Sequence, residues 1–67
     1  MAIMKSIEVL SESNKSFEDA IQTAVTRTAK TVDNIMSANI KNQKVTIKNG
    51  KIDKYRVNVK VTFQVGS

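Results

Sequence analysis

The chain has 67 residues with a net charge of +5, and it contains no cysteine, histidine, tryptophan or proline. That length allows one domain, spanning 1–67, with a core too small to be secure alone. The missing residue types exclude disulfides, thiolate metal sites and imidazole-based zinc or acid–base chemistry, so self-association is the remaining way to stabilise so small a scaffold.

The opening segment, Ala2 to Leu10, reads as a strand. Ile3, Ile7 and Val9 share one face and Ser6 and Glu8 the other, while Met4 and Leu10 break the alternation. Lys5 and Glu8 interrupt its apolar stretch, so it does not resemble a signal peptide. No run approaches the length of a membrane span. These features, with the lack of cysteine, point to a soluble, cytoplasmic protein with no membrane partner.

A polar loop is expected over Ser11 to Lys15. Ser16 then has the character of a helix N-cap, whose hydroxyl accepts a first-turn N–H. Asp19 stands three residues on, close to a capping box, and Glu18 and Asp19 suit the positive end of the helix dipole. The apolar stripe Phe17, Ala20, Ile21, Ala24, Thr28, Val32 and Ile35 has helical spacing and predicts one long helix over 17–35. Ser37 would stand at its exit.

The next segment, Ala38 to Ile47, changes face in mid-run. Ala38 and Ile40 have one parity and Val45 and Ile47 the other, which predicts a bulge near Asn42 to Lys44. Asn49-Gly50 predicts a tight hairpin turn, since both residues tolerate positive φ. The last segment alternates cleanly. Tyr55, Val57, Val59, Val61, Phe63 and Val65 face one way, and Lys54, Arg56, Asn58, Lys60, Thr62 and Gln64 the other. One helix can cover only one face of a three-stranded sheet. The polar face must therefore meet water, a ligand or another subunit.

The expected architecture is α+β, a β-α-β-β subunit with a three-stranded antiparallel or mixed sheet wrapped on one long helix. The strand-helix-strand portion should be a right-handed crossover with parallel strands, and the long last strand should be central.

Charge is unevenly placed. Up to Ile40, four bases face five acids; from Lys41 to Lys60, seven bases face only Asp53. Such a field suits an anionic ligand, although a basic hairpin also serves simply as a solvated surface that discourages aggregation. Nucleic acid is a disfavoured partner, because the polar sheet face lacks an aromatic platform. No nucleophile–base pair or glycine-rich phosphate loop is visible, so an enzyme is not expected.

Taken together, Lys15-Ser16-Phe17-Glu18-Asp19-Ala20, Lys30-Thr31-Val32-Asp33-Asn34-Ile35, the basic hairpin through Asn49-Gly50-Lys51-Ile52, and Tyr55-Arg56-Val57-Asn58-Val59-Lys60-Val61-Thr62-Phe63 resemble the dodecins from end to end. The resemblance implies a hollow homododecamer, with helices outside and polar strand faces lining the interior. It implies a small-ligand binding and storage role, with flavin (riboflavin or FMN) as the family default. In flavin-binding dodecins a tryptophan stacks on the isoalloxazine ring at a two-fold axis, and a glutamine on the last strand bonds the ring edge. The matching places here hold Ser37, followed by Ala38, and Arg56.

Serine has no π-face, and an aromatic contact contributes roughly 0.5–1.5 kcal/mol beyond area burial. Arginine donates but cannot accept, although it grips phosphate well. The resemblance thus makes Ser37, Arg56, Met36 and Ala38 the candidate pocket. Lys44, Asn58 and Lys60 are candidate interior or phosphate contacts. Two readings stand: a dodecin-like storage module with weakened flavin binding, and a structural shell with no flavin function or one holding an anionic nucleotide or coenzyme. Some relatives place a metal-binding acid where Asn42 stands here. A neutral amide is a poor substitute, so no metal site is expected.

Overall fold

The computed structural model describes residues 2–66; residues 1 and 67 of the expected domain lie outside the described residues. Four elements follow in chain order: β1 (Ile3–Ser13), α1 (Phe17–Thr28), β2 (Ile35–Lys48) and β3 (Lys51–Val65). They form one three-stranded sheet in the order β1-β3-β2. As expected, the last strand is central. Both outer strands pair antiparallel with it, so β1 and β2 run parallel to each other without being neighbours.

The valine stripe determines where the helix lies. Val57, Val59 and Val61 are buried against Ala20 and Ala24, whose small side chains let α1 approach the sheet closely. Val9, Phe17, Ile21, Ile35 and Ala38 pack around this centre. Phe17 meets Tyr55 edge-on, with ring centroids 5.1 Å apart.

Ser16 caps the helix as expected, accepting from the Asp19 amide at 3.0 Å. The Asp19 carboxylate accepts from Ser13 Oγ at 2.6 Å instead of closing a capping box on Ser16. Ser13 is buried, and its oxygen also accepts from the Lys15 amide at 2.9 Å. This use of Ser13 corrects the first boundary. Residues Ser11 to Ser13, expected in a loop, extend β1.

The helix is shorter than expected. It has 12 residues and ends at Thr28 rather than running to Ile35. Thr28, Thr31, Val32, Asp33 and Asn34 all have modest helix propensity. Val32 still donates to the Thr28 carbonyl at 2.9 Å, closing a final turn. The chain then reverses at Asn34, whose φ is 61°. Val32 stays half-buried, but Ile35 belongs to β2, and Ser37 lies inside that strand rather than at a helix exit.

β2 carries the expected bulge slightly early. The register shifts between Ile40 and Asn42, leaving Lys41 as the extra residue, and this returns Ala38, Ile40, Val45 and Ile47 to the helix side. A second shift, at Met36, follows Ile35. Asn49 (φ 54°) and Gly50 (φ 74°) form the tight turn. At 12 residues α1 is about 18 Å long, whereas the molecule extends 51 Å. The β2–β3 hairpin therefore projects beyond the helix as an arm.

Candidate functional site

The sheet face turned away from α1 is assembled by the register. Successive rows across β1, β3 and β2 read Glu12–Arg56–Lys44, Leu10–Asn58–Asn42, Glu8–Lys60–Asn39 and Ser6–Thr62–Ser37. Strict alternation from Lys54 to Gln64 puts Lys54, Arg56, Asn58, Lys60, Thr62 and Gln64 on this open face. Met4 and Leu10, the two irregularities in the opening strand, also lie on it and are well exposed.

Two ion pairs organise the open face, both reaching across strands. Lys41 Nζ lies 2.8 Å from Glu8 Oε1, spanning from bulged β2 over β3 to β1. Arg56 Nε donates to Glu12 Oε1, its direct cross-strand partner. Lys41 holds the Glu8 carboxyl below its usual range, by hydrogen bond first and by charge second; partial desolvation opposes it, and Asn58 and Lys60 add lesser effects in the same direction as Lys41. Asn58 Oδ1 is buried on this face with no hydrogen-bond partner among the described residues. An acceptor of this kind suits a water or a ligand donor.

The candidate residues separate into groups. Arg56, Lys44, Asn58 and Lys60 share the open face, with Arg56 and Lys44 directly opposite each other. Ser37 is on the same face, but its partner is Thr62, six positions along β3 from Arg56. At the strand rise this is about 20 Å. Met36 is the exposed, bulged neighbour of Ser37. Ala38 points the other way, pairing with Val61 and packing on the core. A single subunit thus does not bring Ser37 and Arg56 into one pocket.

Two hollows on the subunit lie elsewhere. One of about 390 Å³ sits at the helix start among Lys15, Ser16, Glu18, Asp19 and Gln22. Another of about 290 Å³ lies between residues 31–34 and 63–66. No group of three or more acids is placed to hold a metal among the described residues. No helix among them is long and apolar enough to cross a membrane.

Sequence reasoning missed both ion pairs. Their signal is recoverable, because a central, antiparallel β3 sets Glu12 opposite Arg56 and Glu8 opposite Lys60. The Lys41 contact was hidden, since the bulge that turns Lys41 toward Glu8 cannot be placed to one residue from parity alone.

Comparison with known proteins bears on this geometry. The dodecin family model matches residues 3–66. A crystal structure of the Thermus thermophilus dodecin, in a variant with one tryptophan replaced by phenylalanine, has a TM-score of 0.94 at 27% identity, covering 100% of both chains. The dodecin of Streptomyces davaonensis shares the fold, with a TM-score of 0.92 at 18% identity over 98% of this chain and 97% of that one. A calcium dodecin of Mycobacterium tuberculosis, described as calcium-chelating with a novel calcium-binding site, is 32% identical. Its TM-score is 0.83, over 96% of this chain and 91% of that one. No curated protein matches the chain. A family match over nearly all residues, carried by the same β-α-β-β arrangement, shows that this chain belongs to the dodecin family.

Proposed function

We propose that the chain is a single-domain subunit of a hollow homododecamer that binds and stores a small ligand, in the cytoplasm and without catalysis. Flavin is the ligand class that family membership suggests. Binding is weakened here, because the stacking tryptophan is replaced by Ser37 and the edge-bonding glutamine by Arg56. The observation that carries the reading is the division of the open face. An uncharged end around Ser37 lies about 20 Å from a cationic end where Lys44 opposes Arg56. A pocket that uses both ends must therefore be completed between subunits.

A specific observation favours a phosphate-bearing ligand over a neutral one. Arg56 is matched by Glu12, but Lys44 opposite it has no acid within ion-pair distance among the described residues. FMN, or another anionic nucleotide or coenzyme, would engage this spare charge; riboflavin would not. Calcium is an unfavourable ligand for this face, because its carboxylates Glu8 and Glu12 are engaged by Lys41 and Arg56 and Asn42 offers only a neutral amide.

Titration of riboflavin and FMN, followed by quenching of flavin fluorescence, tests the reading. The expected result is saturable quenching, tighter for FMN than for riboflavin, with the difference shrinking as salt is raised. Absence of quenching by either flavin at tens of micromolar protein would retire flavin. A tight riboflavin complex insensitive to salt would retire the anionic preference.

A further inference from the structure

At the tip of the arm Asn49 and Gly50 are both exposed, and both have positive φ, 54° and 74°. Asn49 is the one asparagine of the chain that a glycine follows. Nothing lies within 4 Å of a Cβ built at Gly50, so the backbone is open on that side. The Gly50 amide donates to no backbone acceptor among the described residues. The other five asparagines are shielded. Asn34, Asn39 and Asn58 precede Ile35, Ile40 and Val59, whose β-branched side chains crowd the next amide. Asn42 precedes Gln43 inside β2. The amide after Asn14 belongs to Lys15 and is tied to Ser13 Oγ at 2.9 Å.

Two features of the arm favour reaction at this one place. Lys48 and Lys51 stand opposite each other directly beneath the tip, and neither has an acid within ion-pair distance among the described residues. Their field favours loss of the Gly50 amide proton and stabilises an oxyanion formed beside it. The ladder behind them is also weak. Its register shifts between Thr46 and Ile47, leaving Asp53 without a cross-strand partner, and like charges directly opposite destabilise a strand pair. A two-stranded end of this kind opens locally at small cost. Opening lets the chain rotate into the geometry that ring closure requires.

We propose that Asn49 is a site of spontaneous covalent modification, at which the Gly50 amide nitrogen attacks the Asn49 side chain and ammonia is lost. Solvent base takes the Gly50 N–H proton as the nitrogen bonds to Asn49 Cγ. The Cγ–Nδ2 bond then breaks, and Nδ2 takes a proton and leaves as ammonia. A cyclic imide remains. Water adds to one of its two carbonyls and reopens the ring. Addition at Cγ gives aspartate, and addition at the main-chain carbonyl gives isoaspartate. One water enters and one ammonia leaves, with no oxidation or reduction. Either product lowers the net charge of +5 by one unit. The new carboxylate stands beside the opposed Lys48 and Lys51 and offsets their repulsion. Isoaspartate also lengthens the main chain by one carbon, in a two-residue turn that has no slack.

The protein as purified, without denaturant, is incubated in mildly alkaline buffer and sampled over days. Cation exchange separates chains that have lost a positive charge, and Asn49→Asp marks where the aspartate product elutes. Fragmentation mass spectrometry places the gain of about 1 Da, and enzymatic methylation detects isoaspartate. Conversion at position 49 is expected to be at least tenfold faster than at any other asparagine, and Gly50→Ala is expected to slow it at least tenfold. Less than tenfold selectivity for position 49, conversion only after urea unfolds the protein, or a Gly50→Ala variant that converts as fast as the parent overturns the proposal.

Discussion

Within one subunit Ser37 and Arg56 are about 20 Å apart, judged from the six β3 positions between Thr62 and Arg56. Substitutions so far apart act independently, with free energies adding to within about 0.3–0.5 kcal/mol. The proposed pocket predicts otherwise. Ser37→Trp restores a stacking surface. With one tryptophan from each of two subunits, the gain is roughly 1–3 kcal/mol, or on the order of five- to a hundredfold in riboflavin affinity. Arg56→Gln restores an acceptor for the ring edge. It also removes the Glu12 ion pair, which is exposed on both sides and contributes at most about 1 kcal/mol to stability. Folding is therefore preserved, and binding remains a clean readout. Riboflavin titration of the parent, both single variants and the double variant forms a complete cycle. The expected coupling is about 1 kcal/mol or more, a fivefold departure from the product of the single effects. That result would mean that the two positions meet on one ring across a subunit boundary. Single effects that multiply to within twofold, or a double variant no better than the parent, would refute the shared pocket.

Two further predictions concern the parts that hold the open face in place. Lys41 depresses the Glu8 carboxyl, so the pair's contribution is present above the usual glutamate value of 4.5 and is lost as pH falls through the lower folded value. The melting temperature of the parent should therefore exceed that of Glu8→Gln near neutrality, converge with it in acid, and do so at any pH in high salt; a gap that stays constant from pH 3 to pH 7 would contradict this. Gly50→Ala should cost about 1 kcal/mol through the left-handed backbone alone, since φ is 74° and nothing lies within 4 Å of an added Cβ; a urea midpoint unchanged at equal chain concentration would contradict it.

The parts of the fold that were legible in the sequence are those set by local pattern. Alternation from Tyr55 to Val65 identified the central strand, its buried valines and its polar face. Ser16 was recognisable as a cap from its position before an apolar stripe, and Asn49-Gly50 as a turn from its tolerance of positive φ. The parity change between Ile40 and Val45 revealed a bulge, which falls at Lys41. The helix end was misjudged because Val32 and Ile35 continue the stripe at helical spacing. Ile35 packs on the core and Val32 is half-buried, but the chain reaches both only after the helix has stopped, and Ile35 only after the turn at Asn34. Periodicity reports which side chains face inward, not the backbone that delivers them.

Of the candidate site, the open face was legible and its internal pairing was not. Arg56, Lys44, Asn58 and Lys60 gather there because alternation on β3 and pairing with β2 require it. Ser37 and Ala38, adjacent in sequence, point to opposite faces, as strand neighbours must. The Glu12–Arg56 and Glu8–Lys41 pairs depend on register and on one extra residue, neither of which composition or spacing defines.

The central claim is a closed assembly of this chain holding a ligand that no single subunit can surround. Native mass spectrometry of the intact protein, with and without added FMN, tests it most directly. The account predicts twelve copies of the 7.4 kDa chain, with a further mass increment when FMN is present. A single chain or a dimer at micromolar concentration would contradict it.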